Sequence, residues 1–238
     1  VIITDRGLRA AGVVDEVLRA SAGRCIGVFD GVVPDPTYEC ADAAIALCRE
    51  LGADSVVSLG GGSSIDTAKL TLVALTHGGS AIENMGLMRL DGPLLPHVAI
   101  PTTHGTGSEV TLGAVITNAQ LHRKFFVADP HLIPNVAILD PTLVTGLPRA
   151  ITVGTGMDAL THAIEGLVTP GANPITTALG LQAVRLVAQH LPRAAENGHD
   201  LEARQGMLVA STLAGITLGP GLGIAGGARE GQRHVAFG

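Results

Sequence analysis

The sequence predicts an α/β fold in which a parallel sheet covered by helices is followed by a purely helical part. Up to about residue 148, short apolar runs alternate with amphipathic helical patterns, which is typical of parallel βαβ units. Beyond that point three long helical patterns follow one another without a convincing strand between them. At 238 residues the chain is long enough to form two domains.

Short apolar segments supply the predicted strands of the first part, which are Val1–Thr4, Cys25–Phe29, Ser55–Leu59 and His97–Ile100. Between them lie three predicted helices: Leu8–Ala20, Tyr38–Leu51 and Ser64–Leu75. Strands that alternate with helices of this length form parallel pairs with right-handed crossovers. After the fourth strand we expect a hairpin and one more short strand, at Val110–Asn118, Lys124–Val127 and Val136–Leu139.

The second part begins near Leu147-Pro148, where the strand signals end. Its predicted helices are Thr155–Val168, Ile175–His190 and Leu201–Leu218. We therefore divide the chain into an α/β domain at 1–148 and a helical domain at 149–238. The cleft between two such domains is the expected ligand site.

The composition argues against several classes of function. Hydrophobic residues make up 46% of the chain and the mean hydropathy is +0.40, so a disordered chain is not expected. The net charge is −6 and no cluster of Lys or Arg stands out, which argues against a nucleic-acid partner. No apolar run approaches the roughly 18 residues that cross a bilayer. With no visible signal peptide and no CxxC spacing among its cysteines, the chain is expected to be cytoplasmic.

Two polar loops directly follow predicted strands. The first is GGGS at 60–63, whose glycines would let the backbone approach a pyrophosphate at the start of a helix. The second is PTTHGTGSE at 101–109, which offers several hydroxyl groups. An ordinary glycine turn with Ser63 or Ser64 as N-cap is the alternative for the first loop. Because parallel strands end at one edge of a sheet, the pair of loops predicts a Rossmann-like nucleotide domain.

Asp5 ends the first predicted strand, at the same edge of the sheet. A carboxylate there can accept hydrogen bonds from ribose hydroxyls and would repel a 2′-phosphate, which favours NAD over NADP. A solvated turn aspartate is the alternative.

The segment GMDALTHAIEG at 156–166 places Asp158 and His162 four residues apart on a predicted helix. Side chains at i and i+4 share one helix face, so a carboxylate oxygen and an imidazole nitrogen can bind one divalent metal. A hydrogen-bonded surface pair is the alternative, since a catalytic zinc usually has three protein ligands. Among the other histidines, His104 and His234 are weaker candidates for a further ligand.

These motifs, in this order, resemble the iron-containing (group III) alcohol dehydrogenase family, most nearly its lactaldehyde reductase/1,2-propanediol oxidoreductase type. The resemblance covers nearly the whole chain. Its motifs are VIITDRGL, VVPDPT, GGGSSIDTAK, AIPTTHGTGSEVT, KFFVADPHLIPNVAILDP, GMDALTHAIEG and LGPGLGI.

The resemblance implies a site for each cofactor. Asp5 would bind the adenosine ribose, and the pyrophosphate would be bound by Gly61, Gly62 and Ser63. The rest of the dinucleotide site would be lined by Thr102, Thr103, Thr106, Ser108, Val115 and Lys124. Asp158 and His162 match the first two of four ligands to Fe²⁺, and the same ligand types also suit Zn²⁺.

The chain departs from the family pattern at three places. Asp35 stands where the family usually has Asn, and His104 stands where it usually has Ala, so cofactor contacts are in doubt there. After Ile224 the sequence AGGAREGQRHVAFG does not match the helix that carries the third metal histidine. We therefore expect a chain that is incomplete at both ends and that binds metal weakly.

The implied activity is the NAD- and metal-dependent interconversion of a small primary alcohol or diol and its aldehyde by hydride transfer. The metal would act as a Lewis acid on the substrate oxygen, and no general base can be named. A homodimer is also implied. Two alternatives stay open: a catalytically impaired nucleotide-binding remnant of the family, and a metal-free enzyme similar to maleylacetate reductase.

Overall fold

The computed structural model describes residues 1–84, 86, 90–119, 121 and 123–221. The strands in this part of the chain are β1 (Ile2–Asp5), β2 (Val28–Val32), β3 (Val56–Gly60), β4 (His97–Pro101), β5 (Gly113–Asn118), β6 (Arg123–Ala128) and β7 (Val136–Ala137). Five of them form one sheet in the order β2-β1-β3-β4-β7, and all neighbours are parallel. β5 and β6 form a separate antiparallel hairpin.

Seven α-helices lie in the same described residues: α1 (Arg6–Ala10), α2 (Val13–Ala20), α3 (Tyr38–Glu50), α4 (Gly62–His77), α5 (Arg149–Val168), α6 (Pro174–Glu196) and α7 (Leu201–Gly221). None of the described helices is long and apolar enough to cross a membrane.

The sheet is buried on both faces, as the alternation of side chains along β1 shows. Ile2 belongs to a cluster with Val14 of α2, on one face of the sheet. Ile3 belongs to a second cluster with Ala44 of α3 and Leu72 of α4, on the other face. Since successive side chains of a strand point to opposite faces, a central strand covered on both sides needs a continuous apolar run.

Small side chains hold α5, α6 and α7 close together. Buried alanines from all three helices form two clusters, and these alanines are Ala159, Ala163, Ala183, Ala194, Ala203, Ala210 and Ala214. Gly166 of α5 faces Thr217 of α7 so closely that a Cβ at Gly166 would lie 2.2 Å from the Thr217 hydroxyl oxygen. The three helices are therefore closely packed against one another rather than loosely joined.

The segment after β4 joins the two parts. Gly107 has φ +61°, and a Cβ there would lie 2.7 Å from the Cα of Gly215 on α7. The Thr212 hydroxyl of α7 donates to the Glu109 carboxylate at 2.8 Å. These contacts hold the carboxyl edge of the sheet against the helices.

The predicted fold class is confirmed, but several element boundaries were wrong. The single helix predicted at Leu8–Ala20 is two helices, because Gly12 takes a left-handed conformation with φ +79°. The strand predicted at Cys25–Phe29 is found at Val28–Val32, where Val28 pairs with Ile2. α5 begins at Arg149, directly after Pro148, and not at Thr155. The division into two domains at residue 148 stays a prediction.

Candidate functional site

The strand order creates a switch point at the carboxyl ends of β1 and β3. From β1 the chain moves to β2 on one side, and β3 then lies on the other side of β1. Helices that leave neighbouring strands in opposite directions open a crevice, and ligands of open α/β sheets bind there. Asp5 ends β1, and the first predicted loop, residues 60–63 (the glycine loop), ends β3, so both predicted elements lie at this crevice.

The glycine loop opens α4 without a side-chain cap. Gly61 is the N-cap residue, and since glycine has no side chain, the helix has no side-chain cap. The first backbone N–H groups of a helix have no acceptor within it, so those of Gly62 and Ser63 are available to an anion. The alternative, an ordinary turn with Ser63 or Ser64 as N-cap, is therefore not what the structure shows.

The two predicted loops meet each other. A Cβ at Gly61 would lie 3.1 Å from the Thr103 hydroxyl oxygen, and one at Gly62 would lie 2.8 Å from the Thr106 methyl group. The Thr102 N–H donates to the Gly60 carbonyl at 3.0 Å, which continues the pairing of β3 and β4 beyond the sheet. Glycine in the first loop thus allows the threonines of the second loop to line the same crevice.

Asp5 already has one partner in the fold. It is the N-cap residue of α1, and one of its carboxylate oxygens accepts from the Leu8 N–H at 3.0 Å. A carboxylate can accept about four hydrogen bonds, so this cap leaves capacity for a ribose. The cap also fixes the orientation of the carboxylate at the end of β1.

A buried polar network behind the loops was not predicted. The Lys69 ammonium of α4 donates to the Ser108 hydroxyl at 3.1 Å and to the Thr111 and Gly113 carbonyls, each at 2.7 Å. The Asp66 carboxylate accepts from the Ser108 hydroxyl at 2.6 Å. Burial lowers the pKa of Lys69 to about 8, although the Asp66 carboxylate opposes this shift.

The network involves two of the predicted cofactor residues. Ser108 is buried and its hydroxyl is shared between Asp66 and Lys69. The Val115 N–H donates to the other oxygen of Asp66 at 2.9 Å. The structure thus gives Ser108 and Val115 a bracing role behind the crevice, and their contact with a cofactor stays a prediction. A lysine within the apolar run AKLTLVAL was the available sequence signal for such a network.

Lys124 lies on the hairpin, beside the turn that precedes α3. Its ammonium pairs with the Asp35 carboxylate at 2.6 Å, and both side chains are well exposed. Asp35 has φ +51°, a left-handed conformation that Asn and Asp tolerate better than most residues. The departure from Asn at this position therefore fits the backbone, and its carboxylate neutralises the charge of Lys124.

Asp158 and His162 lie on one face of α5, as their spacing predicts. Asp158 Oδ1 and His162 Nε2 are 3.6 Å apart. Asp158 is also next to the second predicted loop, residues 101–109 (the threonine loop), because a Cβ at Gly105 would lie 3.1 Å from Asp158 Oδ2. The fold therefore brings Asp158 of the predicted metal pair next to the second of the predicted nucleotide loops.

The described residues contain no group of three or more His, Cys, Asp or Glu that could hold a metal ion. His162 Nδ1 is buried and has no hydrogen-bond partner in that part of the chain. Histidines that bind metals usually donate their second nitrogen to a partner that orients the ring. The candidate ligand His234 lies outside the described residues, and His104 faces Arg204 of α7 rather than the metal pair.

Comparison with known proteins gives matches over both parts of the chain. The family model described as "Iron-containing alcohol dehydrogenase" matches residues 1–141, and the one described as "Fe-containing alcohol dehydrogenase family, C-terminal" matches residues 152–224. The NAD-dependent methanol dehydrogenase of Bacillus methanolicus is 40% identical over 222 residues, which are 92% of this chain and 58% of that protein.

Solved structures show the same similarity. A crystal structure of a 1,3-propanediol oxidoreductase is 42% identical, with a TM-score of 0.87 over 91% of this chain and 57% of the other. A sulfoacetaldehyde reductase from Bifidobacterium kashiwanohense, crystallised with NAD⁺, is 36% identical, with a TM-score of 0.84 over 91% of this chain and 58% of the other. The chain thus spans less than three fifths of the length of these relatives.

Proposed function

Because the chain belongs to the iron-containing alcohol dehydrogenase family, we propose that it binds NAD in the crevice and transfers a hydride between the nicotinamide and a small primary alcohol or its aldehyde. One observation supports this proposal most strongly. The threonine loop touches the glycine loop at Gly61 and Gly62 on one side, and approaches Asp158 through Gly105 on the other. A single loop therefore borders both the expected cofactor and the expected substrate oxygen.

The nucleotide is proposed to lie with its adenosine ribose at Asp5 and its pyrophosphate on the N–H groups of Gly62 and Ser63. The partial positive charge at the start of α4 favours an anion at this place. Thr103 and Thr106 then offer hydroxyls to the part of the dinucleotide that extends toward α5. Asp5 would repel a 2′-phosphate, so NAD rather than NADP is the expected cofactor.

Asp158 and His162 are proposed to hold a divalent metal. Their donor atoms are 3.6 Å apart, so both can reach one ion at the usual ligand distance of about 2.0–2.2 Å. Carboxylate and imidazole donors suit both Fe²⁺ and Zn²⁺. When bound, such an ion supplies Lewis-acid polarisation of the alcohol or carbonyl oxygen. Two ligands make an incomplete site, and among the described residues His162 has no partner for its second nitrogen, so the expected affinity is weak.

A non-catalytic nucleotide-binding protein is the second candidate. It is favoured by the same fact, that the described residues supply two metal ligands and no group of three. A metal-free enzyme similar to maleylacetate reductase is disfavoured, because it would have no use for a carboxylate and an imidazole aligned on one face of α5.

Anaerobic NADH oxidation with short aldehydes, in Fe²⁺, Zn²⁺ or EDTA, tests the proposal. We expect slow turnover that needs a metal, falls at least tenfold in Asp158→Asn, and is unchanged in Glu165→Gln, a matched control on the exposed side of α5. NADH binding without turnover in any metal would support the second candidate. If the chain shows neither NADH binding nor turnover, both candidate functions are overturned.

The location of the protein and its oligomeric state stay predictions. A cytoplasmic location rests on the sequence signals alone. A homodimer rests on the family resemblance, and sedimentation of the whole chain would test it.

A further inference from the structure

The His104 side chain connects the threonine loop to two helices of the other part of the chain. It is fully buried between Thr103 and Gly105. Its Nε2 lies 3.2 Å from Nη1 of Arg204 on α7, and its Nδ1 lies 3.4 Å from the Thr155 hydroxyl oxygen on α5. The imidazole therefore points away from the nucleotide crevice and into the helical part.

The partners of His104 fix which ring nitrogen carries the proton. Arg204 can only donate, so Nε2 must accept and Nδ1 must carry the hydrogen. The Nδ1–H then faces the Thr155 hydroxyl, which itself donates to the Ile151 carbonyl at 2.9 Å. Burial and the Arg204 charge lower the pKa of His104 to about 4, so the ring is neutral near pH 7 and keeps this arrangement.

Arg204 is a rigid anchor for this contact. It is fully buried, and its guanidinium donates to the Gly198 and Leu147 carbonyls and to the Thr152 hydroxyl at 2.8–3.1 Å. No carboxylate pairs with it among the described residues. The charge of Arg204 is therefore stabilised by neutral acceptors, and His104 is the acceptor that belongs to the threonine loop.

The neighbours of His104 are the residues that border the two proposed sites. On one side, Thr103 packs against Gly61 of the glycine loop. On the other, Gly105 is so close to α5 that a Cβ there would lie 2.9 Å from the Thr155 carbonyl oxygen and 3.1 Å from Asp158 Oδ2. A displacement of His104 would thus move both contacts at once.

We propose that His104 is a positioning residue, which through Arg204 and Thr155 sets the threonine loop at the spacing between Gly61 and Asp158 that cofactor binding needs. This inference rests on the proposed function for its effect on NADH. Its structural content, the immobilisation of the loop by the His104 link (Arg204, His104 and Thr155), can be measured without any ligand.

The test compares three variants of the whole chain by NADH titration. His104→Phe keeps a planar ring but loses both hydrogen bonds, and we expect its Kd for NADH to rise at least tenfold. His104→Gln can accept from Arg204 and donate to Thr155, and it should stay within threefold of the unchanged chain. His97→Phe is the matched control, because His97 is buried at the opposite end of β4, hydrogen-bonded to Ser58.

Amide hydrogen exchange supplies the readout that does not depend on NADH. Exchange at Thr103–Gly107 should accelerate at least tenfold in His104→Phe and stay unchanged in His97→Phe. If the unchanged chain fails to bind NADH, the proposed function fails, and the exchange result alone decides the inference. Equal exchange of these amides in His104→Phe and the unchanged chain, or equal NADH affinity of the Phe and Gln variants, would overturn it.

Discussion

Lys69→Met tests whether the buried network braces the loops of the site. Methionine is close to lysine in volume, so little cavity forms and the loss of stability is mainly electrostatic. The change removes the donor to Ser108, Thr111 and Gly113 and leaves the Asp66 carboxylate buried without its cation. Lys69 and Asp66 are joined through the Ser108 hydroxyl rather than by a direct ion pair, so the loss should not exceed the roughly 3–5 kcal/mol that breaking a direct buried pair costs. We expect the lower end, because burial already raises the pKa of Asp66 and lets it take up a proton.

Urea unfolding followed by far-UV circular dichroism measures this loss. With an m value of about 2.5 kcal/mol/M, a loss of about 3 kcal/mol lowers the midpoint by about 1.2 M. Lys124→Met is the matched control, since Lys124 forms an ion pair with Asp35 and is well exposed. Exposed pairs contribute little, so its midpoint should change by less than about 0.3 M.

The double variant Asp66→Asn with Lys69→Met sharpens the test. Since the two side chains belong to one network, the combined loss should be smaller than the sum of the single losses by about 1–3 kcal/mol. Equal midpoints for the Lys69 and Lys124 variants would refute the argument, as would strictly additive losses in the double variant. Either result would mean that the network is not a coupled electrostatic unit.

Three further predictions concern acid stability, loop packing and cofactor choice. Burial lowers the pKa of His97 to about 3 and that of His104 to about 4, from 6.5, so below pH 6.5 the unfolded chain binds more protons than the folded chain. The free energy of unfolding from urea titrations should therefore fall between pH 7 and pH 5 by about 2 kcal/mol for each histidine, and His97→Gln should remove about half of the combined loss. Gly107→Ala combines a positive φ with a clash against the α7 backbone and should cost about 2–4 kcal/mol in thermal unfolding, whereas Gly146→Ala, which meets nothing within 4 Å, should be nearly neutral. Asp5→Ser keeps an N-cap for α1 but removes the charge, so the ratio of the Kd for NADPH to that for NADH should fall at least tenfold; an unchanged ratio would remove Asp5 from the ribose site.

The sequence predicted the features that depend on local pattern and on the rules of parallel sheets. The glycine loop and the threonine loop each follow a strand, and parallel strands end at one edge, so their meeting at the crevice was predictable. The i, i+4 spacing likewise placed Asp158 and His162 on one face of α5. The features that were missed depend on contacts between distant segments.

The shifted strand β2 illustrates such a long-range effect. The apolar run at Cys25–Phe29 is the stronger local signal, but pairing with Ile2 sets the register from Val28 onward. β2 is an edge strand whose residues are mostly half-buried, so hydrophobicity marks its bounds poorly.

The buried network and the His104 link were missed for the same reason. Asp66 and Ser108 are 42 residues apart, and His104 and Arg204 are 100 residues apart, so no periodicity connects them. The sequence identified His104 as a departure from the family pattern, yet only the packing of α5 and α7 shows that its side chain faces the helices rather than the crevice.

NADH titration of the whole chain, followed by nicotinamide fluorescence, tests the central claim most directly. The chain has no tryptophan, so the signal has no tryptophan background. We predict saturable binding that is at least 100-fold weaker in Gly62→Val, whose side chain would enter the space beside Thr106, and that is unchanged in Gly154→Val, an exposed position of α5 with nothing within 4 Å. No saturable binding in the unchanged chain, or equal binding by the Gly62→Val variant, would contradict the proposed nucleotide site.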